Sequence, residues 1–206
     1  MVNGLWGKKI GMTQIFSADQ KVVPVTVIDL ADWYVTQVKT EQRDGYSAIK
    51  VGCLRKRYTE KDFSADWLHA PDKYFSDMRE VHGVELGEDL VGKPADSVAE
   101  LLQGEKVDIF GITIGRGFQG GVKRHGFGGG RGSHGDKLGR KSGSLSGMRR
   151  QGRVIKGKRM PGHMGMDQRI TRNLEVIRVE PGARVVMVRG SVPGKSGSLV
   201  FVRKRK

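Results

Sequence analysis

The sequence predicts a mainly β protein carrying one long, basic, glycine-rich excursion. Short runs rich in β-branched residues, such as VVPVTVIDL (22–30) and ARVVMVRG (183–190), sit between turn residues towards both ends of the chain. Between those ends, residues 115–166 hold 17 of the 31 glycines and 13 of the 37 Lys and Arg residues, with a single acid, Asp136. Only seven of these 52 residues are Val, Ile, Leu or Phe, too few to assemble a core.

Taken in order, 22–30, WYVTQVK (33–39) and YSAIKVG (46–52) read as strands, with Ala31-Asp32 and Asp44-Gly45 supplying turns. Short strands joined by short turns predict an antiparallel barrel or sandwich rather than a βαβ array. From Tyr58 to Glu105 there are 12 acids against four bases, and Tyr58, Phe63, Trp67, Tyr74 and Phe75 cluster. Ser97 and Glu100, followed by Leu101, Leu102 and Gly104, have the spacing of a capping box with a glycine stop. Residues 53–105 therefore read as a small acidic α+β insertion. KVDIFGITI (106–114) is a further strand that leads directly into the glycine-rich segment. ITRNLEVIRVEP (170–181), 183–190 and SLVFVRK (198–204) then restore the strand pattern, with VPGKSG (192–197) as a turn. The expected division is a barrel core of 1–52 and 167–206 with strand 106–114, the insertion 53–105, and the extension 115–166.

Charge points to the partner. The chain carries a formal +15 with a pI of about 10.1. Thirteen bases against one acid give the extension +12, leaving +3 for all the rest. That balance calls for a polyanion. A membrane surface fits poorly, because the charge lies on glycine-rich chain and not on one face of an amphipathic helix. No apolar run reaches the length of a bilayer span. The opening residues MVNGLWGKKIGMTQ have neither signal-peptide nor transit-peptide character. One cysteine, Cys53, excludes an internal disulfide and fits a reducing compartment. The expectation is a soluble, intracellular nucleic-acid-binding protein whose extension is ordered by its partner.

The residues that would do the binding follow from type and setting. Arg116, Lys123, Arg124, Arg131, Lys137, Arg140, Lys141, Arg149, Arg150, Arg153, Lys156, Lys158 and Arg159 are interleaved with glycine, which lets backbone approach phosphates closely. Phe118, Phe127 and His125 are expected near bases, and His134 and His163 are expected to stack or touch phosphates. Lys8, Lys9 and the RKRK tail (203–206) would add peripheral phosphate contacts. The histidines lack the cysteine or carboxylate neighbours of a metal site. The competing class is a nucleotide-dependent enzyme using Gly115, Gly117 and Gly120, which match GxGxxG after a strand. That motif needs a helix next, and GVKRHGFGGG is not expected to form one. Gly190–Ser196 imitates a phosphate-binding loop but has three residues between its glycines where four are required. No catalytic constellation is present, so no enzyme and no cofactor are expected. No helix-turn-helix, zinc-finger or basic-zipper pattern is available for a major groove. An irregular basic strand suits the phosphate surface of a folded RNA better than a regular duplex.

Several long ordered segments carry a family resemblance: GLWGKKIGMTQIF (4–16), VPVTVI (23–28), VTQVKT (35–40), KVDIFGITIGRGFQGGVKRHGF (106–127), SHG (133–135), GRVIKGKRMPGHMG (152–165), NLEVIRVE (173–180) and VRGSVPG (188–194). They resemble the large-ribosomal-subunit protein L3 family, in its bacterial or organellar form. The resemblance implies a translation-protein-type (SH3-like) β-barrel and an extension running through large-subunit, 23S-type rRNA towards the peptidyl-transferase centre. It further implies an early role in subunit assembly, neighbouring large-subunit proteins as partners, and a bacterial cytoplasmic or organellar ribosome as location. No homo-oligomer is implied, and Mg²⁺ enters only through the rRNA. Two positions depart from the family's pattern. His125-Gly126 stands where members commonly have Trp-Asn, and Arg149 stands where many bacterial members carry a methylated glutamine.

Overall fold

The computed structural model describes residues 4–17, 19–59, 61, 63–82, 90–95, 101–145 and 152–205. In chain order its strands are β1 (Gly4–Phe16), β2 (Val22–Asp29), β3 (Trp33–Lys39), β4 (Ala48–Leu54), β5 (Phe75–His82), β6 (Lys106–Ile112), β7 (Phe118–Gln119), β8 (Gly162–His163), β9 (Gln168–Glu180), β10 (Val185–Arg189) and β11 (Leu199–Lys204). The helices are α1 (Glu41–Asp44), α2 (Asp66–His69), α3 (Pro71–Tyr74) and α4 (Gly121–His125). The fold is mainly β, as the sequence predicts. The chain divides into two compact units, Met1–Ile112 with Gln168–Lys206, and Thr113–Asp167.

In the first unit six strands close an antiparallel barrel in the order β1-β11-β6-β9-β10-β2. Period-two alternation explains it: Val107 and Ile109, Val186 and Val188, and Val200 and Val202 all turn inward and are buried. Each such side chain gains about 1.5–3 kcal/mol on burial. Gly7 lets β1 lie against β2, since a Cβ there would stand 2.7 Å from the Asp29 carbonyl oxygen.

One charged side chain is buried in this barrel. The β6–β9 register shifts between Val107, opposite Leu174, and Ile109, opposite Thr171. Arg172 and Asn173 therefore face Asp108 alone, as in a β-bulge, and Asn173 takes a left-handed φ of 62°. The Asp108 carboxylate fills that gap. It accepts the Asn173 backbone N–H at 3.0 Å and the Arg203 guanidinium at 3.0 Å.

Residues 33–52, read from the sequence with the barrel, pair elsewhere: β3, β4 and β5 form a separate antiparallel sheet. The burial of β4 gives the reason. Six of its seven residues are buried, so both faces need cover, unlike a barrel strand with one solvated side. One face packs Val35, Ile49, Val51 and Val81 with Trp6 and Phe201. A second cluster joins Leu54 of β4 and Phe75 of β5 to Trp67, with Tyr34, Tyr58, Phe63 and Tyr74 packed against them. The clustered aromatics Tyr58, Phe63, Trp67 and Tyr74 thus pack against residues of this sheet. The helix anticipated from Ser97 and Glu100 lies outside the described residues, and Leu101 is buried in the barrel core.

Candidate nucleic-acid interface

The second unit begins as two legs joined by a backbone ladder. Thr113 N–H donates to the Asp167 carbonyl at 3.0 Å and Met166 N–H to the Thr113 carbonyl at 3.2 Å. Arg116 N–H donates to Met164 at 2.8 Å and Met164 N–H to Gly117 at 3.0 Å. The pairing continues where β7 meets β8, with Phe118 opposite His163 and Gln119 opposite Gly162. Gly165, at φ 78°, is where the legs come closest: a Cβ there would sit 2.2 Å from the Ile114 carbonyl oxygen.

Past β7 the chain makes a turn of helix where glycine content argued against one. α4 spans five residues and ends at Gly126, whose left-handed φ of 71° and N–H bond to Val122 at 3.0 Å close its C-terminus. Tertiary contacts outweigh the poor propensity. The Phe127 ring lies on Gly121, leaving only 2.7 Å to a Cβ placed there. Arg124 donates from Nη1 to the Met160 carbonyl at 2.7 Å, and His125 Nε2 lies 3.0 Å from the same oxygen. α4 therefore ties to the returning leg. It does not serve the dinucleotide reading of Gly115, Gly117 and Gly120, because β6 runs antiparallel to both of its neighbours and no βαβ unit forms.

The lone acid of the segment organises a loop. The Asp136 carboxylate accepts N–H bonds from Leu138 at 3.0 Å, Gly139 at 3.3 Å and Gly132 at 3.4 Å. Gly130 N–H donates to the Gly139 carbonyl at 2.7 Å and closes the same loop. These bonds, with Leu138 first and Gly132 next, hold the Asp136 carboxyl below its ordinary value. Asp136 thus works on the backbone. Its signal in the sequence was its isolation as the one acid among the 13 bases of 115–166.

Around this frame the bases face outward. Arg116, Lys123, Arg131, His134, Lys137, Arg140, Lys141, Arg153, Lys156, Lys158, Arg159 and His163 are all exposed, and Phe118 is 75% exposed. Arg124, His125 and Phe127 are half-buried, with the His125 and Phe127 rings 5.7 Å apart. Arg149 and Arg150 lie outside the described residues. Among the described residues, every ion pair lies in the first unit, so the bases of 113–167 are not neutralised by acids there. No group of three His, Cys, Asp or Glu residues gathers into a metal site among the described residues.

The bases expected at the barrel periphery are engaged internally. Lys9 Nζ donates to the carbonyls of Val192 at 2.8 Å and Gly194 at 2.9 Å, pinning the turn that imitated a phosphate loop. Lys8 Nζ donates to Cys53 Sγ at 3.1 Å. Burial opposes its charge, but Cys53, Asp77 and Asp32 outweigh this and raise its pKa. In the tail, Arg203 binds Asp108, Lys204 meets Glu105 at 2.5 Å, and Arg205 donates to Asn173 Oδ1 at 3.1 Å. Their charge was visible in the sequence; their acceptors, from 32 to 185 positions away, were not.

Comparison with known proteins gives one consistent result. The family described as Ribosomal protein L3 matches residues 79–185. The large ribosomal subunit protein uL3 of Pelotomaculum thermopropionicum is 44% identical over 208 residues, covering 99% of this chain and 97% of that one. Its counterpart in Carboxydothermus hydrogenoformans is 38% identical, with 99% and 98% covered. That of Desulforapulum autotrophicum is 40% identical, with 99% of each covered. These alignments run through residues 53–104 as well, where the family motifs were not legible. The chain belongs to the ribosomal protein L3 family.

Proposed function

We propose that this protein is a structural, non-catalytic component of the large ribosomal subunit that binds large-subunit rRNA through residues 115–166. The observation that carries the reading is the exposed array of bases in that segment, free of acid partners among the described residues and mounted on a frame held by Met160, Asp136 and the leg ladder. Lys and Arg side chains neutralise phosphates, glycines admit the RNA backbone, and Phe118 stacks on a base. The barrel unit anchors the segment. Early subunit assembly, proximity to the peptidyl-transferase centre and contacts with neighbouring large-subunit proteins belong to the same reading, as does the cytoplasmic ribosome of a bacterium. Mg²⁺ enters with the RNA, and the protein needs no cofactor of its own.

Salt provides the test. With several bases on phosphates, log affinity for large-subunit rRNA falls linearly with log salt, by about 0.7–0.9 per contact. Replacing Arg140 or Lys156 with Ala then lowers the slope by about one unit. An affinity independent of salt overturns the reading. RNA should also complete the order of the segment: trypsin cuts the free protein within 115–166 and spares those sites in the assembled subunit.

A further inference from the structure

We infer that the barrel unit carries a second RNA-backbone site, built on Arg55, Lys56 and Arg57, a trio outside the extension; the inference rests on the rRNA-binding reading above. Three consecutive bases here directly precede a stretch, Tyr58–Glu105, in which 12 acids face only four bases. A solvated face would be expected to share the mixed or acidic character of its surroundings. Instead Arg55, Lys56 and Arg57 line one open concavity of about 520 Å³ with Lys8, Ser76 and Asp77. Four bases against one acid leave that hollow at +3.

The trio is held in place before any ligand arrives. Arg55 N–H donates to the Tyr74 carbonyl at 2.9 Å, and Tyr58 N–H to the Arg55 carbonyl at 2.8 Å, closing a 3-10 turn over Lys56–Tyr58. The Tyr58 ring fixes that turn from below, 4.9 Å from Tyr74 and 6.2 Å from Trp67. Arg55 supports the wall through its own guanidinium, which reaches the Phe75 and Asp72 carbonyls at 3.2 and 3.0 Å. Lys56 and Arg57 remain exposed and take part in none of the ion pairs among the described residues. Arg57 lies 5.9 Å from the Tyr58 ring centre, within cation–π range, which restrains the guanidinium without neutralising it. Two exposed cations, carried on that ordered turn and lining a basic hollow, suit successive phosphodiesters of an RNA strand. A protein partner would have to bring a matching cluster of carboxylates. RNA supplies regularly spaced anions, and it is the polyanion the second unit already requires.

The full-length protein is tested against a large-subunit rRNA fragment in a salt titration, comparing wild type with Lys56→Gln/Arg57→Gln and with Arg140→Gln/Lys141→Gln. Both positions of the first variant are exposed, and Arg55 is left intact so that the wall keeps its support. The expected result is a loss of about 1.4–1.8 units from the slope in the first variant, with an unchanged melting temperature. If the extension variant lowers the slope and Lys56→Gln/Arg57→Gln does not, the inference fails while rRNA binding by the extension stands. If neither lowers it, the rRNA-binding reading itself fails. Wild-type rRNA affinity with lost subunit incorporation would assign the trio to a neighbouring protein and overturn the inference.

Discussion

Arg124 directs its guanidinium at the Met160 carbonyl oxygen, 2.7 Å away, so one base of the extension acts as a strut. Lysine at that position keeps the charge but loses the planar fork that reaches the carbonyl. Arg124→Lys is therefore expected to leave the salt slope of rRNA binding unchanged while amide exchange quickens at Met164 and Arg116 in the leg ladder. The bond lost is of the charged-donor type, worth about 1.5–3 kcal/mol where it is well shielded. Hydrogen exchange beside a salt titration checks it. A slope reduced by one unit with wild-type exchange would place Arg124 on a phosphate instead.

Asp136 gives a prediction whose sign separates structure from charge. Removing the only acid of the segment raises its net positive charge, and electrostatics alone would tighten binding to a polyanion. The carboxylate, however, gathers the N–H groups of Leu138, Gly139 and Gly132. Asp136→Ala should therefore weaken rRNA binding at moderate salt, because Arg131, Lys137 and Arg140 lose their common frame. The pH dependence follows from the depressed carboxyl. Its contribution to loop order is fully present above the ordinary carboxylate value of about 3.9 and is lost as pH falls through the lower folded value. Amide shifts of Leu138 and Gly139 report that titration by NMR. Tighter binding by Asp136→Ala would show that charge, and not the loop, dominates.

How much of this was legible in the sequence depended on the range of the interaction. Strand runs such as 183–190 were legible because period-two alternation is local, and β10 lies within that range at Val185–Arg189. The partner of a strand is not local: nothing in β4 alone states that it pairs with β3 and β5 and not with the barrel. α4 was missed for the same reason, since its glycines are near in sequence whereas Met160, which holds it, is 35 residues from His125. The candidate RNA contacts divide along this line. Charge density marked the exposed bases of 115–166, but the carbonyls that engage Lys9 and the carboxylate that engages Arg203 belong to distant segments.

Asp108 sets the acid limit of the barrel. The Asn173 N–H and then the Arg203 guanidinium hold its carboxyl below the ordinary value, against the opposing effect of burial. Because the folded value is depressed, this contribution is present above the unfolded carboxylate pKa and disappears as pH falls through the folded one. Asp108→Asn keeps the shape but removes the charge facing Arg203, which is itself nearly half exposed. The expected cost is about 1–3 kcal/mol, discounted from the buried-pair range because Arg203 is partly solvated. Thermal melts from pH 7 to pH 3 should show the variant less stable at neutral pH and the gap narrowing with acid. A gap independent of pH would assign the loss to packing at the bulge.

Gly165 tests whether the leg ladder is needed for RNA binding or only accompanies it. Two independent features require glycine there. Its φ of 78° is a left-handed conformation that costs an alanine about 1–2 kcal/mol. A Cβ would also stand 2.2 Å from the Ile114 carbonyl and 3.0 Å from the Gly115 Cα, both backbone atoms that cannot swing aside. Gly165→Ala must therefore push the legs apart, breaking the bonds between Arg116 and Met164 and between Met164 and Gly117. No basic residue is altered, and the barrel core of Val107, Ile109, Val186, Val188, Val200 and Val202 is untouched. The melting temperature of the barrel unit should stay at its wild-type value while rRNA affinity drops about tenfold, equivalent to about 1.4 kcal/mol. The salt slope should shrink as well, because bases beyond the broken root no longer meet their phosphates together. Gly165→Ser should behave alike, since any Cβ meets the same two backbone atoms. Wild-type affinity and slope in both variants would show that RNA imposes the geometry of the extension by itself, and that the ladder between residues 113–119 and 162–167 has no part in presenting the bases.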